Sequence, residues 1–195
     1  MSEAQFEGRA VLITGGARGI GRATAVKLGQ EGANVAINYV SRDADAEETK
    51  LLVEREGARA IIVKADVSEP LEVERMVAKT REEFGMIDML VVSAGISYIE
   101  GHDEISYETY RRTMAVNLDG TFLSIMAVKD EMLQKKWGRI VCLSSVAALR
   151  ARKMQIHYSA SKAAIQAMVK CFAEGLAPSV RINAIAPGLI DTEMG

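Results

Sequence analysis

Tyr158 and Lys162 stand four residues apart in "HYSASKAA" (157–164), and Tyr158 follows Ser145, the end of the apolar run "RIVCLSS" (139–145), by thirteen positions. An α-helix turns about 100° per residue, so residues four apart share one face. A free tyrosine titrates near pH 10 and is a poor base at neutral pH, but a neighbouring ammonium favours its charged form. A phenol so placed can take a proton from an alcohol or give one to a carbonyl oxygen. Ser145 supplies a hydroxyl able to hold the same oxygen. On most helices a Tyr and Lys at this spacing are surface decoration; a strand-end serine before them and a glycine-rich loop upstream are what point to chemistry. Asn117 is the fourth candidate, in "AVNLDGTF" (115–122) within a long amphipathic stretch. Asn and Gly are mediocre helix formers, so a helix opened here could hold a water that returns protons to Lys162. Irregularity for packing alone is the competing reading.

The redox half of such chemistry belongs to a nicotinamide, which exchanges hydride with the substrate carbon. A cradle for its phosphates is present in "LITGGARGIG" (12–21), where Gly15, Gly19 and Gly21 form a G-x-x-x-G-x-G pattern and Ile20 separates the last two. Glycine permits the tight turn and close backbone approach, and the following helix aims its N-terminus at negative charge. An NAD-selective sheet carries an acid at the end of its second strand; here that end reads "INYVSRDA" (37–44). Arg18 in the loop and Arg42 beyond the strand are placed to face a 2′-phosphate, so NADP(H) is expected over NAD. Asp66 and Val67, in "KADVS" (64–68), follow the third strand, where a carboxylate could accept from an adenine amino group or simply cap a helix. Ala94 and Gly95, in "VVSAG" (91–95), are small enough for a ribose to pass close by.

The elements that must position these groups alternate. Short β-branched runs at 10–13, 34–39, 59–63, 88–92, 139–143 and 180–186 read as strands, and amphipathic stretches at 20–31, 43–56, 69–84, 106–136 and 157–176 read as helices. Near-continuous apolar strands indicate a parallel sheet covered on both faces. Six βα units in succession predict a doubly wound α/β fold with ligands beyond the carboxyl ends of the strands. Ser68 is expected to cap the third helix with Pro70 in its first turn, and Gly32, Gly57 and Gly85 to end helices.

The 195 residues suffice for a single domain (1–195), with 49% hydrophobic and 26% charged residues and a formal net charge of −2. Nothing suggests a nucleic-acid surface, and no apolar run approaches the ~18–20 residues of a membrane span. The N-terminus lacks the pattern of a secretory signal. Cys142 and Cys171 have no metal or redox spacing and are expected as small buried hydrophobes in a reducing, cytoplasmic setting. His102 and His157 have no ligand-spaced partners and read as loop or surface residues; no metal site is expected.

Taken together, "TGGARGIG", "ADV", "SAG", "NLDGTF", "SSV…YSASK" and "NAIAPGLIDT" resemble the short-chain dehydrogenase/reductase family, in its order and spacing, from residue 12 to 192. The resemblance implies a Rossmann fold and a catalytic tetrad of Asn117, Ser145, Tyr158 and Lys162. It further implies that Lys162 bonds the nicotinamide ribose, and that Pro187, Gly188 and Thr192 line the nicotinamide amide. It implies a homodimer or homotetramer built through the helices at 106–136 and 157–176. Two departures stand out: Ser93 replaces the family's usual asparagine, and the chain stops at Gly195, where members continue, so it is expected to be truncated. Segments 96–104 and 147–157 would flank the substrate. The nearest likeness is to 3-oxoacyl-[acyl-carrier-protein] reductases, with Lys135, Lys136 and Lys170 as possible contacts for an acidic carrier. The "NYVSRD" stretch resembles glucose 1-dehydrogenases instead. A non-catalytic nucleotide-binding or scaffolding protein is the rival of another class; it would have no need to retain Tyr158 and Lys162.

Overall fold

A computed structural model describes residues 5–150 and 152–192. Its sheet contains β1 (Ala10–Thr14), β2 (Asn34–Tyr39), β3 (Ala60–Lys64), β4 (Met89–Val92), β5 (Gly138–Leu143) and β6 (Val180–Ile185), in the order β3-β2-β1-β4-β5-β6. Every pairing is parallel. Helices α1 (Gly19–Gln30), α2 (Asp43–Arg55), α3 (Pro70–Phe84), α4 (Tyr107–Met114), α5 (Gly120–Gln134) and α6 (Ile156–Leu176) supply the crossovers.

The period-2 geometry of strands sorts the apolar residues into two cores. Val11, Ile13, Val35, Ile37 and Val91 face Ala25 of α1 and Val53 of α2. Leu12, Leu90, Ile140 and Ile182 face Met76 of α3, Ile125 of α5 and Ile165 of α6. Helices thus cover both sheet faces, as the unbroken apolar strands require. β6, the last strand in that order, is exposed at four of its six positions.

Gly32, Gly57 and Gly85 adopt φ of 86°, 86° and 77° where three helices stop, as expected. Ser68 does not cap α3, whose N-cap is Glu69 with no side-chain bond; its hydroxyl donates to Asp66 instead. The stretch 106–136 is not one α-helix: α4 passes through a π-helical segment, Ala115–Asp119, into α5. Gly120 follows that segment at a close approach, where a Cβ would lie 2.7 Å from Val67 Cγ2. Cys142 is buried as expected, but Cys171 is exposed. It lies two residues beyond Val169 on α6, off the stripe His157, Ser161, Ile165 and Val169 that packs inward. His157 is on that stripe and therefore fully buried, stacked on Tyr98, with neither ring nitrogen hydrogen-bonded.

Candidate active site

β1 and β4 are neighbours, yet the chain leaves them to opposite sides of the sheet, toward β2 and β3 from one and toward β5 and β6 from the other. At such a switch point the connecting loops diverge and leave a crevice beyond the strand ends. A cleft of ≈ 370 Å³ opens there. Of the candidate residues, Gly15, Arg18, Gly19, Ile20, Arg42, Asp66, Val67, Ala94, Gly95, Ser145, Tyr158, Lys162, Pro187, Gly188 and Thr192 all line it. Gly21 and Asn117 do not; they stand behind its wall.

Glycine is required at one position of the loop between β1 and α1 and at one in the first turn of α1. Gly15 has φ +63°, and a Cβ on it would come within 2.7 Å of Ala94 Cα at the end of β4. A Cβ on Gly21 would overlap the carbonyl oxygen of Gly15, so Gly21 serves the seating of α1 on the loop. The N-cap of α1, Arg18, makes no side-chain capping bond, and the first turn contains no acid. The leading amides of α1 therefore remain available to an anion.

Asn38 was not anticipated as a site residue, and it ties three strand ends together. Its Oδ1 accepts from Gly15 N at 3.2 Å, while Nδ2 donates to the carbonyls of Ala65 at 2.9 Å and Val63 at 3.3 Å. The β2 end consequently offers no acid from its own strand: Asn38 points inward and the Tyr39 hydroxyl donates to Asp43 at 2.9 Å. Arg42, in a left-handed conformation at φ 66°, lies at the cleft with an Asp45 contact of 3.4 Å. The β4 end is held from β1, where Thr14 Oγ1 accepts from Ser93 N at 3.1 Å and Ala94 N at 3.2 Å. That support does not depend on the side chain of residue 93.

Asp66 is engaged on both carboxylate oxygens. Oδ1 accepts from Ser68 N at 2.9 Å and Ser68 Oγ at 2.6 Å, and Oδ2 pairs with Arg112 of α4 at 2.8 Å. Burial opposes its ionisation, and the bonds from Ser68 and Arg112 outweigh that, holding the carboxyl below its ordinary range.

On the other side of the crevice α6 brings Tyr158 and Lys162 onto one face, with Lys162 Nζ 5.7 Å from the centre of the Tyr158 ring. Lys162 is buried and donates to Leu143 O at 2.7 Å. Burial lowers its pKa from 10.5 to about 8, Cys142 opposing. The Ser145 hydroxyl accepts from Ala147 N at 3.1 Å, which uses a lone pair and leaves its hydrogen for another acceptor.

Asn117, fully buried in the π-helical segment, clamps the loop after β4: Oδ1 accepts from Ile96 N at 2.8 Å and Nδ2 donates to Ile96 O at 3.0 Å. Its second amide hydrogen goes to Ser161 Oγ at 3.0 Å, which donates to Tyr158 O at 2.8 Å. Both hydrogens are thereby committed to protein. One Oδ1 lone pair is left for a water. Gly95 keeps this region open, since a Cβ there would lie 3.4 Å from Asn117 Oδ1 and 3.5 Å from Lys162 Nζ.

Among known proteins, a match to the family described as short chain dehydrogenase covers residues 9–195. The L-rhamnose 1-dehydrogenase (NAD(P)(+)) of Sphingomonas sp. (strain SKA58) is 38% identical over 191 residues, 97% of this chain and 75% of the relative. The 3-oxoacyl-[acyl-carrier-protein] reductase of Synechocystis sp. is 38% identical over 184 residues, 94% of this chain and 74% of the relative. The crystal structure of levodione reductase superposes with a TM-score of 0.93 at 36% identity, covering 97% of this chain and 74% of that one.

Proposed function

The chain belongs to the short chain dehydrogenase family, and we propose that it is an NADP(H)-dependent oxidoreductase whose preferred substrate is a 3-oxoacyl thioester. One observation carries the reading: a buried lysine, a tyrosine and a strand-end serine meet at one side of a cleft whose other side is a glycine cradle. The cradle fits a dinucleotide, because Gly15 leaves no room for a side chain and α1 presents uncapped amides. When bound, the nicotinamide supplies hydride to the carbonyl carbon or removes it from the alcohol.

The chain's own groups handle the proton and the geometry. Ser145 donates its hydroxyl hydrogen to the substrate oxygen and orients it. Tyr158 gives that oxygen its proton in reduction and takes it back in oxidation. Lys162 stabilises the charge that develops on the phenolic oxygen and offers its remaining hydrogens to a ribose. Asn117 holds the turn carrying Tyr158 against the loop after β4 and leaves an Oδ1 lone pair for a water that resupplies the proton.

Arg18 and Arg42 support NADP(H), since each lines the cleft and the β2 strand offers no carboxylate to a ribose diol. Exposed apolar side chains on segments next to cleft residues support an acyl chain: Leu149 and Ile156 are exposed, and Leu189, between Gly188 and Ile190 of the cleft, is 86% exposed. A second reading, oxidation of an aldose, is favoured by the rhamnose dehydrogenase relative, whose identity equals that of the acyl reductase. Initial rates with acetoacetyl thioester and NADPH, set against L-rhamnose and D-glucose with NADP⁺, separate the two. The acyl reading is lost if an aldose gives the higher kcat/KM.

Self-association through α5 and α6 is part of the same reading, for Phe122 and Met126 are exposed beside Phe172. Light scattering should return a dimer or tetramer. Among the described residues no helix is long and apolar enough to cross a membrane. Two free cysteines fit a reducing cytoplasm.

A further inference from the structure

Because the proton-transfer groups lie on the β5 side, a dinucleotide spanning the glycine cradle must lay its other nucleoside over β2 and β3. That end of the cleft is walled by Ala65, Val67 and Val116, with Asp66 and Arg112 at its polar margin. Arg112 and Val116 are four apart and present one strip toward the cleft. Three apolar side chains, a planar guanidinium and a carboxylate suit a flat base with a single hydrogen-donating edge.

The valence of Asp66 makes the point sharper. An ionised carboxylate accepts at about four lone-pair sites. Ser68 occupies two on Oδ1 through its amide and hydroxyl, and Arg112 takes one on Oδ2. A single acceptor site is left. Arg112 also donates to Ser68 Oγ at 2.9 Å, so one guanidinium fixes both the carboxylate and the hydroxyl that orients it. Arg112 reaches Asp66 and Ser68 from α4, across the sequence from the loop they share.

We propose that Arg112 is a specificity-determining positioning residue for the nucleobase: it orients Asp66 so that one lone pair meets an exocyclic amino group, selecting adenine over a base with a carbonyl there. The inference rests on the dinucleotide reading above. It concerns a different property, base discrimination rather than catalysis.

Isothermal titration calorimetry with NADPH and with its hypoxanthine counterpart tests it on the whole chain. Wild type should bind the adenine form at least about tenfold more tightly, as a hydrogen bond to a charged group implies. Arg112→Met should shrink that ratio to about twofold or less while circular dichroism stays unchanged. Arg112→Lys, which keeps the charge but cannot bridge Asp66 and Ser68 together, should give an intermediate ratio and serves if the methionine variant misfolds. Equal weakening of both ligands in the variants would overturn the proposal and leave Arg112 as a simple brace of α4. A wild type that binds both forms equally would overturn it while the dinucleotide reading stands; a wild type that binds neither would sink both.

Discussion

Lys162 lies with its ammonium 5.7 Å from the centre of the Tyr158 ring and, although buried, has a backbone carbonyl rather than a carboxylate as its partner. The adjacent Cys142 thiol is pushed by burial up to about 12 and is neutral at neutral pH. Among the described residues Lys162 is therefore a buried cation without a compensating anion, held next to the Tyr158 ring.

A pH-dependent stability follows. Lys162 titrates at about 8 when folded, against an ordinary 10.5, chiefly because of burial. Below pH 8 both folded and unfolded chains hold the proton, and the full cost of burying the charge is present. Between about 8 and 10.5 the unfolded chain holds more protons, so stability rises with pH across that window. Urea denaturation should show wild type gaining on the order of 3 kcal/mol relative to Lys162→Met over the window. A difference that stays constant with pH would mean that burial leaves the pKa of Lys162 at its ordinary value.

Asn38 braces the glycine loop by accepting from Gly15 N and donating to carbonyls of β3 and the residue after it. Asn38→Asp keeps the shape but sets a carboxylate against those carbonyls. A loss of about 1–3 kcal/mol is expected, together with weaker dinucleotide binding. Thermal melts and NADPH titration check both; full NADPH affinity in the variant would show that the loop does not rely on this brace.

Gly120 lets α5 approach Val67 at the floor of the cleft. Gly120→Ala should destabilise by about 1–3 kcal/mol through overpacking. Adding Val67→Ala should recover most of that loss, because the added methyl meets the valine side chain first. Failure of the second substitution to help would place the strain elsewhere.

Arg42 is expected to contribute to cofactor preference. Arg42→Ala should cut the ratio of NADPH to NADH affinity by roughly tenfold, the worth of one charge-assisted bond. Fluorescence titration with each cofactor reads it directly, and an unchanged ratio would remove Arg42 from that role.

Much of this fold was legible from short-range pattern. Unbroken apolar strands announced a sheet covered on both faces, and Gly32, Gly57 and Gly85 marked helix ends because each must reach positive φ. The spacing of Tyr158 and Lys162 stated their shared face outright. What stayed hidden depends on partners far away in the chain. Nothing near Asp66 signals that Arg112, forty-six residues on, closes over it, nor near Asn38 that its amide reaches across to Ala65. His157 was misread although it lies on the inward stripe of α6; the Tyr98 ring stacked on it comes from a distant loop.

The central claim is that the Tyr158 hydroxyl moves the proton while the rest of the ring merely lines the cleft, and Tyr158→Phe isolates that one group. NADPH affinity should stay within about twofold of wild type, and single-turnover reduction of acetoacetyl thioester should fall by about 10²–10⁴. A phenylalanine variant that binds NADPH and reduces the substrate at the wild-type rate would contradict it.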